Sequence, residues 1–459
     1  METSNQLLTY LMSQSADTLD RLYETSATAI AVWRALPDLP KQIVARLMFV
    51  QETVSPDMVK QWVQPRLHSE VEQILVMLIE LRIILKYAFD GQEDESDEKT
   101  LILAPNLASS LQSGLINGSA SLAGMEKADA VESKYHKSVE DLRTYAKQRL
   151  HALLQFLALP TANPDQLVSP LVRRVLATAG LTRESPHSAD TEITSAGFQF
   201  LLMDGTTQLW TYLLSYLQHQ SQLGDDAGEL LGFLFRLTFC GSKIPYKLDD
   251  TWSEPVRDFL LHLRELGVVY MRKRAAGWFY VTPLIQNLTA TDSGEKPPLE
   301  QEGFLVIETN FRVYAYTDSL LELSILSTFA DMMYRFGSMS VGALTRESVR
   351  SALQTGIKAE QIVSYLRTHA HPNMSGHSPI VPPTISDQIR LWELERDRFS
   401  FDEAVLYNNF DSDAEFVQLT DFARSRGVLM VENKDLRLAV VTPSGHLLVK
   451  QWRKQNKPT

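Results

Sequence analysis

Twice in this chain a glycine closes a helical stretch, an alternating run follows, and a proline ends it 16 residues later. The two cases are Gly267 to Pro283 around VVYMRKRAAGWFYVTP and Gly427 to Pro443 around VLMVENKDLRLAVVTP. Glycine accepts the left-handed backbone that stops a helix and proline cannot extend a ladder, so the interval fits one two-stranded hairpin. Two weaker copies come earlier. Gly180 is followed by LTRESPHSADTEITSAG, with Ile193-Thr194-Ser195 where the others have Val-Thr-Pro; Arg82 to Phe89 leads through an acidic loop to Leu101-Ile102-Leu103-Ala104-Pro105. Each copy reads as helix, strand, loop, strand, helix, the outline of a winged helix. The spacing predicts an α+β, mainly α chain of tandem winged-helix-like units with a small α/β module at its C-terminal end.

Helices of the first unit are expected over Pro40 to Phe49, Pro56 to Val63 and Ser69 to Leu81, with Ser55 capping and Pro56 at a first helical position. In the third unit Glu229 to Phe239 and Ser253 to Leu266 take the outer places. Small residues over Gly114 to Ser133, the mixed run Thr289 to Gln301, and Met374 to Pro383 with three prolines read as linkers. The expected division is therefore 1–113, a helical and winged-helix-like domain; 134–222 and 225–290, second and third winged units; 302–399, a hairpin-helix domain; and 400–459, the C-terminal module.

The hairpin-helix domain opens with GFLVIETNFRVYAYT at 303 to 317. Leu305 and Ile307 fall on one side of an extended run and Phe304, Val306 and Glu308 on the other; after a turn at Thr309-Asn310, Phe311, Val313 and Ala315 alternate with Arg312, Tyr314 and Tyr316. A two-stranded hairpin needs cover. Asp318 or Ser319 can cap a helix carrying Leu320, Leu323, Leu326, Phe329, Met333 and Phe336 at a three-to-four residue period, enough to cover one face. The face with Glu308, Arg312, Tyr314 and Tyr316 is left for another surface. Further on, Thr384 and Asp387 form a capping box for a helix with Ile385, Ile389, Trp392 and Phe399 near one side and Asp387, Arg390, Glu393 and Arg396 spaced for ion pairs.

These words, with MMYRF at 332, TRESV at 345, GIKAEQIVSYLRTHAHP at 356 and PPTISDQIRLWELERDRF at 382, closely resemble the subunit 4 family of the TFIIH core. Weaker words, DRLYE, ITSAGFQFLLMD, LHLRELG and VVTPSGH, spread the likeness over nearly the whole chain. The resemblance implies a non-enzymatic nuclear subunit serving RNA polymerase II transcription initiation and nucleotide excision repair. Its 302–399 domain would clasp the XPB translocase and stimulate that ATPase, its other units would bind further TFIIH core subunits, and its C-terminal module would pair with the smallest subunit. Tyr314 and Tyr316 then serve as desolvated anchors, with Glu308 and Arg312 setting register by charge. In the module, strands Val428 to Glu432 and Leu436 to Val441 leave an edge, placing Val428, Met430, Leu438 and Val440 at the small partner's interface.

Composition narrows the alternatives. Acidic residues outnumber basic ones 56 to 44, a poor balance for non-specific DNA binding. The basic wing Arg272, Lys273, Arg274 facing Trp278, Phe279 and Tyr280 is the candidate DNA contact, and a tandem winged-helix DNA-binding protein is the rival reading; under the resemblance, DNA is met only weakly or through the complex. One cysteine, Cys240, excludes an internal disulfide and any multi-cysteine zinc site. Phosphate-loop, nucleophile-elbow and metal-helix motifs are missing, so no catalytic residue, cofactor, metal or small-molecule substrate is expected. His369 and His371 point apart at a helix end and read as capping or packing residues rather than metal ligands. The start METSNQLLTY lacks a secretory pattern, and the run Ile74 to Leu85, broken by Glu80 and Arg82, is too short for a bilayer.

Overall fold

The computed structural model describes residues 2–455 apart from 51, 88–99, 129–134, 160–166, 185–190, 225, 273–276, 286–287, 289–302, 375, 377, 397, 399–402 and 411. The chain is mainly helical with small antiparallel sheets, and it divides into two compact units, Met1–Glu393 and Leu394–Thr459.

In the larger unit, helices α1 (Glu2–Met12), α2 (Ala16–Leu22) and α3 (Ser26–Ala35) precede α4 (Asp38–Leu47), α5 (Pro56–Gln61) and α6 (His68–Glu80). Ser55 accepts the Met58 N–H at 3.3 Å and Pro56 follows it, so α5 starts where the cap and the missing proline donor dictate. Strands β1 (Ile84–Tyr87) and β2 (Thr100–Leu103) pair antiparallel, Ile84 opposite Leu103, and Val54 bridges Leu101. The acidic loop expected between them lies outside the described residues. Helix α7 (Pro105–Ala123) corrects the first linker reading: it runs through the small residues, bent at Gly118 (φ 74°). Those residues let α7 approach α3 closely, for a Cβ on Gly114 would overlap the Ile30 side chain.

The second segment holds α8 (Val139–Ala158), α9 (Pro170–Thr178), β3 (Thr182–Glu184), β4 (Thr191–Ile193), α10 (Ser195–Leu201) and α11 (Gly205–Leu223). The third holds α12 (Ala227–Thr238), β5 (Pro245–Lys247), α13 (Glu254–Glu265), β6 (Val269–Tyr270) and β7 (Trp278–Val281). The two-strand expectation here gains a strand: β5 pairs with β7, giving the order β5-β7-β6, and residues 126–128 extend the sheet as Lys247 donates to Glu126 O and Ala128 to Pro245 O. Gly267 ends α13 at φ 82°, and its missing side chain leaves room for the Ala146 backbone. Glu265 ties the segments together, accepting the Ser169 N–H at 2.7 Å and its hydroxyl at 2.8 Å.

Beyond residue 302 come β8 (Leu305–Ile307), β9 (Arg312–Ala315), α14 (Leu320–Ser327), β10 (Asp331–Arg335), β11 (Ser340–Ala343), α15 (Arg346–Gln354), α16 (Ala359–Thr368) and α17 (Pro383–Arg396). Ser319 caps α14 as expected, accepting from Glu322. The helix stops at Ser327, however, and Met333 and Phe336 lie on and just past strand β10 instead of on its stripe. Leu321, Leu323, Leu326 and Phe329 go into the core. Ile385 and Ile389 are fully buried, Trp392 packs on Phe311 at 5.9 Å, and Phe399 is outside the described residues. Arg390 pairs with Asp387 and Glu360, while Glu393 turns away to accept the Ala359 N–H at 2.9 Å.

The smaller unit contains β12 (Val405–Tyr407), α18 (Asp413–Ser425), β13 (Leu429–Asn433), β14 (Leu438–Val441) and α19 (Pro443–Gln455). Phe416, Leu419 and Ala423 of α18 and Val449 of α19 close a core with Tyr407, Ala439 and Val441.

Candidate partner-docking surfaces

Sheet order β10-β11-β9-β8 gives the 303–343 segment two edges of opposite character. At β8, the Phe304 and Leu305 N–H groups both donate to His369 O at 2.9 Å, and His371 N–H donates to Leu305 O at 2.7 Å. A Cβ on Gly303 would overlap the Ala370 carbonyl, so only glycine lets this segment lie on the strand. That edge is closed. At β10, among the described residues, no strand pairs on the outer side, and all five residues are exposed. Phe336 N–H donates to Met339 O at 2.7 Å, closing the β10–β11 hairpin, and Thr345 Oγ1 donates to Asp331 Oδ2 at 2.6 Å, fixing its first residue. Tyr334 is 60% and Phe336 54% exposed, with Met333 beside them.

The predicted outer face is assembled on this sheet. Leu305, Ile307, Val313 and Ala315 are buried, so the alternation delivers Arg312, Tyr314 and Tyr316 outward. Arg312 and Glu308 are exposed, Tyr314 is half-buried, and Tyr316 is 51% exposed with its ring 5.8 Å from His371. Glu308 belongs to the turn: its carboxylate accepts from Asn310 Nδ2 at 2.8 Å and from the Tyr314 hydroxyl at 3.4 Å, while Asn310 Oδ1 accepts the Arg312 N–H. Phe311 takes φ 68° to turn its ring onto Trp392. Tyr314 pairs with Val341, and Val341 with Tyr334, so the two tyrosines share one face. Helical-period reasoning missed β10; the turn pair Gly337-Ser338 between DMMYRF and MSVGA was the signal for a hairpin.

His369 stacks on Tyr365 at 4.1 Å and hydrogen-bonds its carbonyl through Nδ1 at 3.0 Å; burial holds its pKa below the usual histidine value. Among the described residues no group of three His, Cys, Asp or Glu converges as metal ligands, and no helix is long and apolar enough to cross a membrane.

In the smaller unit, β14 is the central strand and β12 and β13 are the edges. Leu438 and Val440 are therefore half-buried in mid-sheet, and the apolar surface they share is a face, with Val431 and Leu406 exposed on either side. Met430 is exposed at the β13 bulge. Val428 instead packs inward on Gly445, where a Cβ would overlap it.

On the third segment's sheet, Trp278, Phe279 and Tyr280 are buried and unavailable for stacking on bases, because Ala128, Tyr135 and Leu142 pack on Trp278 and Tyr280 while Tyr246 and Trp252 pack on Phe279. Arg272 is exposed but lies 4.0 Å over the Tyr135 ring; Lys273 and Arg274 lie outside the described residues.

The family model described as transcription factor Tfb2 matches residues 9–372, and the one for the Tfb2 (p52) C-terminal domain matches 387–454. The chain belongs to the Tfb2 family. Its relatives in that family include the general transcription factor IIH subunit 4 of Dictyostelium discoideum, 30% identical over 99% of both chains. The general transcription and DNA repair factor IIH subunits TFB2 of Yarrowia lipolytica and Arabidopsis thaliana are each 32% identical, covering 98% and 92% of this chain and 97% and 91% of their own.

Proposed function

We propose that the chain is a non-enzymatic architectural subunit of the nuclear general transcription and DNA repair factor IIH, as its Tfb2-family relatives are named, and that it acts by holding partners. The 302–399 domain clasps the XPB translocase and stimulates its ATPase, the apolar sheet face of 400–459 pairs with the smallest subunit, and the segments at 1–113, 134–222 and 225–290 contact other core subunits. The observation that carries this reading is the open β10 edge beside an exposed aromatic face. Main-chain groups unpaired among the described residues, flanked by Tyr334, Phe336, Tyr314 and Tyr316, form a surface that suits strand addition by a partner. Stimulation then follows from fixing the motor's orientation on a rigid sheet.

Recruitment of purified XPB by the full chain tests it. Arg312→Glu and Tyr334→Asp, both at exposed positions, are expected to lower affinity and ATPase stimulation while circular dichroism stays unchanged. Unaltered affinity and stimulation in both variants sink the assignment.

A further inference from the structure

Helices α2 and α3 meet α12 and α13 around a cavity of about 350 Å³, at the small end of the range for ligand pockets. It exists because α12 carries Gly232 where a side chain would fill the space: a Cβ there would find only Leu22 Cδ2 at 3.8 Å and Thr28 Oγ1 at 3.9 Å. One wall is aromatic, Phe233 and Trp252 meeting edge to face at 5.1 Å.

Each of the four charged side chains around it already has at least one partner. Arg21 bonds Asp226 at 2.9 Å and pairs with Asp17; Asp226 also caps α12 through the Gly228 and Glu229 N–H groups. Arg236 gives Nε and one terminal nitrogen to the Ala123 and Gly124 carbonyls, and Glu229 Oε1 accepts from Ser253. What remains open among the described residues is one acceptor, Glu229 Oε2, and the N–H donors on Arg21 Nη2, Arg236 Nη1 and the Trp252 indole. Two cations and two anions cancel, so the site favours a neutral occupant. An apolar floor with an acceptor and several N–H donors at its rim complements a bulky apolar side chain together with its own peptide N–H and C=O.

We propose that this cavity is an anchor pocket for a neutral peptide segment of a partner protein, which inserts one side chain of phenylalanine or leucine size between Leu22 and Trp252. A buried apolar anchor inside a polar rim is the arrangement of an interface hot spot. The proposal takes its peptide source from the docking-subunit reading. Pocket occupancy is nevertheless measured on the chain alone, whereas XPB recruitment is read at β10, so either can fail without the other.

Saturation-transfer NMR on the full chain with N-acetyl-phenylalaninamide provides the test, alongside N-acetyl-phenylalanine and 2-phenylethylamine as anionic and cationic controls. The neutral amide is expected to bind in the millimolar range and each control several-fold more weakly. Gly232→Leu, which fills the cavity, should abolish the signal; Glu229→Ala, at an exposed position, should weaken it several-fold if the leucine variant misfolds. No transfer to wild type, or equal transfer to both variants, overturns the proposal. Tighter binding of 2-phenylethylamine overturns the peptide assignment, and a wild-type dimer in sedimentation that Gly232→Leu dissolves assigns the pocket to a second copy and overturns it likewise.

Discussion

Acid should destabilise this chain in part through one buried residue, His262. Its ring is 3% exposed between α13 and α11, stacked on Tyr216 at 4.3 Å and Tyr212 at 5.7 Å, with Nε2 3.1 Å from the Tyr212 hydroxyl. The closest acid on its helix, Glu265, is engaged with Ser169, so no carboxylate compensates a charge on the ring. Burial pushes its pKa down from 6.5 to about 3. A depressed histidine is neutral when folded and takes up a proton when unfolded below pH 6.5, so its contribution is complete above that pH and is lost progressively down to pH 3. At about 1.4 kcal/mol per unit, the loss is about 2 kcal/mol between pH 7 and pH 5 and at most about 5 kcal/mol over the full window. Urea unfolding followed by tryptophan emission at pH 7 and pH 5, for wild type and His262→Phe, isolates the effect, since other groups titrate in both. The phenylalanine keeps the stack and strands the Tyr212 hydroxyl, so it should be less stable than wild type at pH 7 by about 1–3 kcal/mol yet lose about 2 kcal/mol less on acidification. Equal pH slopes for the two proteins would refute the argument.

Two further expectations follow from packing. Gly232→Ala on α12 meets ordinary contacts at 3.8 and 3.9 Å and should stabilise by roughly 0.5–1 kcal/mol, whereas Gly228→Ala, facing Thr18 Cγ2 at 2.8 Å, should destabilise; a thermal melt distinguishes the signs. Val440→Asp on the open face of the smaller unit should abolish capture of the smallest subunit and spare XPB binding, as should deletion of 401–459; loss of both partners would contradict the division of labour.

Legibility of the sequence followed from how local each cause is. Helices α5, α12 and α13 fell within a few residues of expectation because caps, prolines and a buried stripe act within one turn. The β8–β9 hairpin was legible for the same reason, its alternation and turn being contiguous. Strand β10 was not: Met333 and Phe336 fit a helical period after Leu326, and what makes them a strand is pairing with β11, whose register Asp331 to Ala343 is set by tertiary structure. The small residues of α7 read as a linker because their reason, close approach to Ile30 on α3, lies 84 positions away in sequence. The outward alternation of Arg312, Tyr314 and Tyr316 was readable; the closure of β8 by residues 369–371 was not, since only the fold shows which edge stays open.

That closure yields one more prediction, and it bears on why the sheet keeps one covered edge. In Gly303→Ala the new Cβ would occupy the position of the Ala370 carbonyl, and the 369–371 segment must retreat. Three hydrogen bonds go with it: Phe304 N–H and Leu305 N–H to His369 O, and His371 N–H to Leu305 O. At about 1 kcal/mol net for each, the variant should lose about 3 kcal/mol in chemical denaturation. It should also acquire a second unpaired edge at β8, and two open edges on one sheet permit head-to-tail stacking of copies where one permits only a pair. Sedimentation velocity should therefore show concentration-dependent species beyond the dimer in Gly303→Ala and none in wild type. If the variant melts like wild type and remains of the same size, the glycine is not what seals β8, and the asymmetry between the two edges needs another cause.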